Sequence, residues 1–436
     1  MTLLLLLLLL LLVLLLLVRV LLLLVLLLLV LLLLALLLTP PLSLRHTFWD
    51  METWMYPNLL FFHPKLATGT VMYRVNGLDW AKKWATNTSR NGARYPWQTA
   101  TSGKVASHAN EAEIHIVGDV ALSMWQYYSA THNATWLKAH GLPVLAATAE
   151  FFADWAVKNV DGSFSLNKTQ GPDEFHTGDD SCYVNAAAAL NLRSAANFCK
   201  MLKKPVPANW TAIADGVRIP FDAKRQLHLE FAEWTDSMKA KQADTIMLSY
   251  PLGVAMPPAV RKNDLVYYAN HTGNGPSMTW SMYAIGFLET GELEQASSFF
   301  NRSWLPYVDR KTGDFGGDCG GNFLTGAGGF LQGLWVGWAG MRLRLDTLDF
   351  LTPRVPATTD GMKLRGVTYL GSKFDLRIRP EKAPAGQAGA CFRGWPVAAG
   401  GVQLKVGVLG GGSFVPLSAT EDACFKLGTS MRIVGE

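Results

Sequence analysis

Two carboxylates and an imidazole lie within four consecutive residues of one short segment that begins with a Gly-Pro turn. The segment is "GPDEFH", Gly171–His176, which contains Asp173, Glu174 and His176. Acidic residues are common in solvated turns, so a bend between helices is the simpler interpretation. A carboxyl group whose surroundings keep it protonated can instead act as a general acid, and that interpretation requires partners elsewhere in the chain.

Other carboxylates lie in segments that are rich in aromatic residues or in glycine. Asp50 and Glu52 stand among four aromatic residues in "HTFWDMETWMYP". Glu113 and His115 follow "NEA", where polar residues at a helix start are the simpler interpretation. The Gly-rich segment "LPYVDRKTGDFGGDCGGNFLTG" contains Asp309, Asp314 and Asp318.

Carboxylates from separate loops, beside aromatic side chains, suit hydrolysis of a glycosidic bond. One acid, kept protonated, donates to the leaving oxygen, while the other activates water or attacks carbon. The Gly-rich segment could also hold phosphate at a helix N-terminus, but no Gly-Lys-Ser/Thr follows it, which argues against a nucleotide site. Spacing in sequence does not select between the inverting and retaining geometries.

Composition excludes several other classes of protein. A net charge of +5 over 436 residues, with no run of Lys and Arg, argues against a nucleic-acid partner. The cysteines show no zinc-ligand spacing, and no metal or cofactor is predicted. Six N-x-S/T sequons favour the secretory pathway. They begin at Asn87, Asn133, Asn167, Asn209, Asn270 and Asn301.

The N-terminal leader, residues 1–41, is almost entirely Leu and Val and is interrupted by Arg19. A helix of that length would exceed the hydrocarbon core of a bilayer, which is about 30 Å thick. A membrane anchor, an aberrant signal sequence and low-complexity sequence unrelated to the folded part all stay open. Membrane association through this leader is therefore one expectation.

After the leader, the hydrophobic pattern of the sequence changes once, near Pro353. Long apolar stretches such as 111–132, 136–157 and 184–202 predict buried helices. Helices are also predicted for Ser277–Leu288, Glu292–Trp304 and Phe330–Leu343. After Pro353, short alternating segments with Gly turns predict strands. The fold class is mainly α, with a helical domain at 42–350 and a β domain at 351–436.

Five motifs, taken in order, resemble glycoside hydrolase family 65. They are "HTFWDMETWMYP", "GARYPWQTA", "GPDEFH", "KQAD" and "NFLTGAGGFLQG", spread between about His46 and Arg379. The resemblance implies an (α/α)6 barrel followed by a small C-terminal β-sandwich, which could be incomplete. It also implies an inverting mechanism. The family's N-terminal β-sandwich is expected to be missing, because the leader runs directly into the first motif.

The resemblance also implies roles for individual residues. Glu174 would be the general acid, and Trp49, Asp50, Lys241 and Gln242 would bind the glucosyl unit. Glu52 belongs to the first of these motifs and is included among the substrate-binding residues. The expected base near "NFLTG" is not a Glu here; Asp314 is the predicted base, with Asp318 and Asp309 as substitutes.

The same resemblance bears on the reaction. Phosphorylases of the family carry a His-Asp-Ser type loop for phosphate, and the corresponding "NGPSMTWSM" lacks that His and Asp. Hydrolysis is therefore favoured over phosphorolysis. The implied activity is removal of glucose from glucosyl-galactosyl-hydroxylysine units, as in collagen. Two alternatives stay open: another α-glucoside such as trehalose or kojibiose, or sugar binding without turnover.

Overall fold

Helices account for most of the chain between residues 51 and 338. The computed structural model describes residues 46–107, 111–316, 322–380, 383, 388–398 and 400–436, and residues 47–436 belong to one unit. The helices are α1 Tyr56–Phe62, α2 Pro64–Asn76, α3 Leu78–Asn87, α4 His115–Thr131, α5 Ala134–Trp136, α6 Leu142–Trp155, α7 Cys182–Met201, α8 Ala208–Gly216, α9 Pro258–His271, α10 Ser277–Thr290, α11 Leu293–Arg302 and α12 Leu324–Gln332. Single-turn π-helices occupy Met51–Met55, Leu137–Gly141 and Gly333–Trp338, and a 3-10 turn occupies Thr245–Met247.

Helices that are buried on nearly all sides alternate along the chain with helices that bury one face. In α4, α7 and α10 almost every residue is buried, which agrees with sequences that are apolar nearly all round. In contrast, α3 buries only Ala81 and Ala85, and α11 buries only Ala296 and Phe300. The i, i+4 spacing of these two pairs gives each of those helices a single apolar stripe. The buried helices therefore form the centre of the helical part, and the others surround it.

One predicted helix is partly wrong. The segment Phe330–Leu343 was predicted as a helix, but α12 ends at Gln332, a π-helical turn ends at Trp338, and Met341–Leu343 is a strand. Gly340 lies between the π-helical turn and the strand, and its φ of +72° is in the left-handed region. A Cβ added there would lie 2.0 Å from the Leu351 carbonyl oxygen. Pairing of this strand with Leu348–Phe350 decides the conformation of an apolar stretch whose sequence favours helix.

The C-terminal part consists of two small antiparallel sheets. The strands of the sheets are β7 Met341–Leu343, β8 Leu348–Phe350, β9 Met362–Tyr369, β10 Ser372–Arg379, β11 Gly389–Gly394, β12 Leu404–Val408, β13 Phe414–Pro416, β14 Ala423–Phe425 and β15 Met431–Gly435. One sheet has the strand order β14-β11-β10-β9 and the other the order β13-β12-β15-β8-β7. Short two-stranded pairs in the helical part are β1 Val157–Lys158 with β2 Phe164–Ser165, β3 Thr169–Gln170 with β4 Thr177–Gly178, and β5 Phe221–Asp222 with β6 Leu227–His228.

The strands predicted after Pro353 are confirmed by alternating burial. In β10, Phe374, Leu376 and Ile378 are fully buried and the two residues between them are half-buried. A disulfide joins Cys391 on β11 to Cys424 on β14, which are directly opposite each other. The thiols of Cys182 and Cys199 are free and buried, and Cys319 lies outside the described residues.

The glycines of the "NFLTGAGG" motif allow two helical elements to pack closely. A Cβ on Gly328 would lie 2.4 Å from the Trp54 carbonyl oxygen, and one on Gly329 would lie 2.6 Å from the Met278 Cβ. Both distances are far shorter than real contacts, so α12 can approach the Met51–Met55 turn and α10 only because these positions lack side chains. The glycines therefore serve helix packing in this structure.

We expect Gly328→Ala to lower the free energy of unfolding by about 1–3 kcal/mol, because the methyl group must displace main chain. Gly69→Ala is the matched control: Gly69 lies inside α2, and a Cβ there has no atom within 4 Å. That change should be neutral or stabilising, since alanine favours helix over glycine by about 0.5–1 kcal/mol. Chemical denaturation of both variants checks the prediction, and equal effects at the two positions would contradict it.

In the part of the chain that the structure describes, no helix is long and apolar enough to span a bilayer. The leucine-rich leader, residues 1–41, lies outside the described residues, and so does the prediction made for it.

Candidate active site

The predicted site residues lie in loops that precede the buried helices. Asp50 stands directly before the Met51–Met55 turn, Glu174 lies in the loop before α7, and Gln242 precedes the 3-10 turn at Thr245–Met247. The N-terminal end of a helix carries unpaired N–H groups and favours negative charge nearby. Direct hydrogen bonds join the loops of Glu174 and Gln242, and the charge of Glu174 acts on the carboxyl group of Asp50, so the residues belong to one site.

Glu174 is held by two donors from the "KQAD" segment. Its Oε2 accepts from Lys241 Nζ, and its Oε1 accepts from Gln242 Nε2 at 2.9 Å. Gln242 is buried and also donates to the Pro172 carbonyl oxygen at 2.6 Å, which fixes the amide against the same loop. Glu174 has φ +62°, in the left-handed region where residues other than glycine are uncommon. The carboxyl group is therefore held at both oxygens on a strained bend.

Asp50 is the second carboxyl group of this site. Its Oδ1 accepts a hydrogen bond from Thr325 Oγ1, in the first turn of α12, at 2.8 Å. Burial raises the pKa of Asp50, the Thr325 hydrogen bond opposes that, and the negative charge of Glu174 raises the pKa further. Trp49 is buried, with its ring 5.0 Å from that of His115. The structure thus brings Trp49, Asp50, Glu174, Lys241 and Gln242 to one end of the buried helices.

The structure places Glu52 in an internal ion pair, and its role in substrate binding stays a prediction. Glu52 is buried and forms a two-bond ion pair with Arg74, with Nε–Oε1 at 2.6 Å and Nη2–Oε2 at 2.9 Å. Both carboxylate oxygens are therefore occupied by a guanidinium group from α2. Burial raises the pKa of Glu52 and Arg74 opposes that rise. Through Arg74, which also donates to the Phe48 carbonyl oxygen, Glu52 stabilises the first motif.

The predicted base lies in an exposed turn of the Gly-rich segment. Asp314 is exposed in a tight turn, where its main-chain oxygen accepts from the Asp309 N–H at 2.9 Å. Asp309 is also exposed, and its carboxylate accepts from the Lys311 N–H in the same turn. Asp318 lies outside the described residues. The role of Asp314 therefore stays a prediction.

A fully buried charged group lies behind Trp49, where sequence analysis favoured only polar helix-start residues. His115 Nδ1 lies 2.7 Å from Asp119 Oδ2, and His115 Nε2 lies 3.5 Å from Glu113 Oε2. Burial alone would lower the pKa of His115, but Asp119 and Glu113 raise it to about 10. Tyr183 of α7 donates to Asp119 Oδ1 at 2.7 Å. In the sequence, this group could have been recognised from His115 and Asp119, which lie in a helix that is otherwise mostly apolar.

A second buried group lies directly beneath Glu174 and was also missed. Asp173, Glu230 and Asp244 come from three loops, and all three are buried. Burial and then the charge of Asp173 raise the pKa of Asp244 to about 8; burial, followed by the charges of Asp244 and Asp173, raises the pKa of Glu230. Gly171 makes room for this group, since a Cβ there would lie 2.3 Å from Asp244 Oδ2.

A metal ion could be held by part of this second group. One ligand atom each from Asp173, His176 and Glu230 lies within 4.8 Å of the others. Asp173 and His176 already bond to each other at 2.5 Å, so they satisfy each other without a metal. The same geometry therefore also fits a purely hydrogen-bonded cluster.

Comparison with known proteins defines the class. Residues 45–239 match the central catalytic domain of glycosyl hydrolase family 65, and the chain belongs to that family. Its relatives include protein-glucosylgalactosylhydroxylysine glucosidase of Gallus gallus, 36% identical over 349 residues, which cover 77% of this chain and 49% of that protein. The enzyme of the same name from Danio rerio is 35% identical over 348 residues, covering 77% of this chain and 53% of that protein.

Other relatives carry different activities. A kojibiose hydrolase of Flavobacterium johnsoniae is 34% identical over 306 residues, covering 68% of this chain and 45% of that protein. The chain spans about half the length of the curated relatives it matches. Among solved structures, a protein assigned as a kojibiose phosphorylase from the human microbiome superposes with a TM-score of 0.73 at 17% identity, covering 87% of this chain and 60% of that one. That likeness concerns the fold alone.

Proposed function

We propose that this chain is an inverting α-glucosidase that removes the terminal glucose from glucosyl-galactosyl-hydroxylysine units such as those of collagen. Identities of 34–36% to enzymes of that name, over about three quarters of the chain, support the substrate class. The observation that carries the chemistry is the carboxyl group of Glu174, held on a strained bend by Lys241 and Gln242. Asp50 stands close enough for the two charges to interact.

In this proposal Glu174 protonates the glycosidic oxygen. A general acid donates with one oxygen, yet here both oxygens of Glu174 accept hydrogen bonds. Lys241 has a half-exposed side chain that can move, whereas Gln242 is buried and fixed. When the glucosyl unit arrives, Lys241 moves from Glu174 to a sugar hydroxyl. The Glu174 carboxylate then takes up a proton from solvent and donates it to the glycosidic oxygen as the bond to the sugar carbon breaks. Trp49 and Asp50 complete the wall around the same sugar.

The inverting reaction also requires a base that activates water on the opposite face of the sugar. An inverting site separates its two carboxyl groups by about 6.5–9.5 Å, so the base should not touch Glu174. Asp314 is the proposed base, from the turn that precedes "NFLTG". The side chain of Asp314 is exposed, so water can reach it.

The helical part is proposed to be an (α/α)6 barrel, at 42–350, with the β domain at 351–436. The alternation of helices buried on all sides with helices that bury one face supports this arrangement. Strand β8 pairs with β15, and β7 pairs with β8, so the polypeptide enters the β domain slightly before residue 351. The site then lies at the end of the barrel where the buried helices begin.

A second candidate is hydrolysis of kojibiose, the activity named for relatives of 34% and 32% identity. It uses the same general acid and differs only in the group that leaves. The aglycone therefore separates the two candidates.

Incubation of the purified chain with glucosyl-galactosyl-hydroxylysine tests the proposal. We expect glucose to be released as the β-anomer, which proton NMR detects before mutarotation, because water attacks from the face opposite the leaving group. Kojibiose and trehalose, assayed at equal concentration, should react more slowly. Binding of the glycan without release of glucose would contradict an enzymatic role, and release of the α-anomer would contradict inversion.

A further inference from the structure

The carboxylate that precedes Glu174 contacts both loops that form the site. Asp173 is 1% exposed. Its Oδ1 accepts from the Lys241 N–H at 2.5 Å. Its Oδ2 lies 2.5 Å from His176 Nδ1 and accepts from the Phe175 N–H at 3.3 Å. One buried side chain thus fixes the main chain of the "GPDEFH" loop and that of the "KQAD" loop.

The main chain of Asp173 is fixed as well. Its N–H donates to Asp244 Oδ2 at 3.1 Å, so each loop bonds to an aspartate of the other. Between these anchored residues Glu174 adopts φ +62°, a conformation that costs free energy and persists only where the surroundings impose it. The anchors on both sides of Glu174 therefore impose the direction of its side chain.

In the cluster of Asp173, Glu230 and Asp244, the carboxylate of Asp173 accepts the hydrogen bonds that join the two loops. The hydrogen bonds that its carboxylate receives come from two main-chain N–H groups and an imidazole. Its buried carboxyl neighbours, Glu230 and Asp244, have raised pKa values, because burial and mutual repulsion disfavour their charged forms. Asp173 is thus the buried carboxylate that accepts from the main chain of both loops.

We propose that Asp173 is a positioning residue, which aims the carboxyl group of Glu174 at the glycosidic oxygen by tying the two loops together. The inference rests on the proposed glucosidase function of the same site. Asp173 acts through the main chain that carries Glu174. Its loss should slow proton donation and leave sugar binding largely intact.

The test compares two substrates in Asp173→Asn. One oxygen becomes an NH2 group, which must face a donor N–H of Lys241, Phe175 or His176. We expect kcat for the disaccharide to fall by about 10–10²-fold, the size of effect that a misplacement of about 1 Å produces, while KM changes little. Hydrolysis of α-glucosyl fluoride should be much less affected, because fluoride leaves with little help from an acid. A merely structural role would lower both rates together.

A second pair of variants keeps the test decisive if Asp173→Asn does not fold. His176→Ala removes one partner of Asp173 at a half-exposed position, and His176→Asn restores a donor near Nδ1. We expect the alanine variant to lower the ratio of disaccharide to fluoride hydrolysis and the asparagine variant to recover it. Asp179→Asn, in the same loop, is the matched control: its carboxylate accepts from the Lys168 N–H. That variant should leave the ratio unchanged.

The outcomes separate the inference from the function on which it rests. If wild type releases no glucose and does not hydrolyse the fluoride, the proposed function fails. If wild type is active and the ratio stays constant in Asp173→Asn and His176→Ala, the positioning role is overturned and the function stands. Loss of wild-type activity in EDTA, with recovery on adding a divalent ion, would make the cluster a metal site and would also overturn the inference.

Discussion

Replacing Glu174 with Gln is expected to lower kcat for the disaccharide by about 10²–10⁴-fold, the usual effect of removing a general acid. Gln keeps the size of the side chain but has no proton of suitable acidity to give to the leaving oxygen. Gln242 and Lys241 lie against both oxygens of Glu174, so the amide also alters those two contacts. Glucose release under steady-state conditions measures the loss.

Two controls separate loss of acid catalysis from loss of structure. Glu294→Gln changes the same charge at an exposed position on α11 and should leave kcat unchanged. α-Glucosyl fluoride should remain a substrate for Glu174→Gln, since its leaving group needs little protonation. Unchanged release of glucose from the disaccharide by Glu174→Gln would refute the assignment of Glu174 as the acid.

The second large effect is expected for stability. Arg74→Met should lower the free energy of unfolding by about 3–5 kcal/mol, because it leaves the buried Glu52 carboxylate without its partner. The side chains of Arg74 and Glu52 are only 1% and 3% exposed. Arg74 also donates to the Phe48 carbonyl oxygen at 3.2 Å, so the first motif loses a main-chain contact too. Thermal and denaturant-induced unfolding measure the change.

The matched control is Lys262→Met. Lys262 pairs with Glu292 at the surface, where its side chain is 51% exposed, and surface pairs contribute only about 0–1 kcal/mol. A double variant, Arg74→Met with Glu52→Gln, should lose less than the sum of its parts, because no unpaired charge then remains buried. If Arg74→Met and Lys262→Met lowered the free energy of unfolding equally, burial would not be the reason for the larger effect expected at Arg74.

Much of the helical part could be predicted from local sequence. The segments that became α4, α6 and α7 are apolar nearly all round, and that pattern specifies a buried helix wherever it is placed. The same reasoning failed at Met341–Leu343, because an apolar run with glycines is compatible with either state. Hydrogen bonding to Leu348–Phe350 made it a strand.

The site was predicted less completely. Motif order placed Glu174, Lys241 and Asp50 in one site, and the hydrogen bonds and charge interactions of the structure join these residues. The sequence offered no means of separating Glu52 from Asp50, since both are acids within one aromatic segment. Glu52 differs because Arg74, on another helix, lies close enough to bind both of its oxygens.

Local order and periodicity along the chain were sufficient to identify the family, the position of the acidic motif and the change from helices to strands. The carboxyl groups that cluster near Glu174 could be identified only from long-range packing. Asp173, Glu230 and Asp244 come from loops far apart in the chain and meet beneath it. The physical reason is that burial and the proximity of other charges set the protonation of a carboxyl group, and both arise only when separate helices pack together.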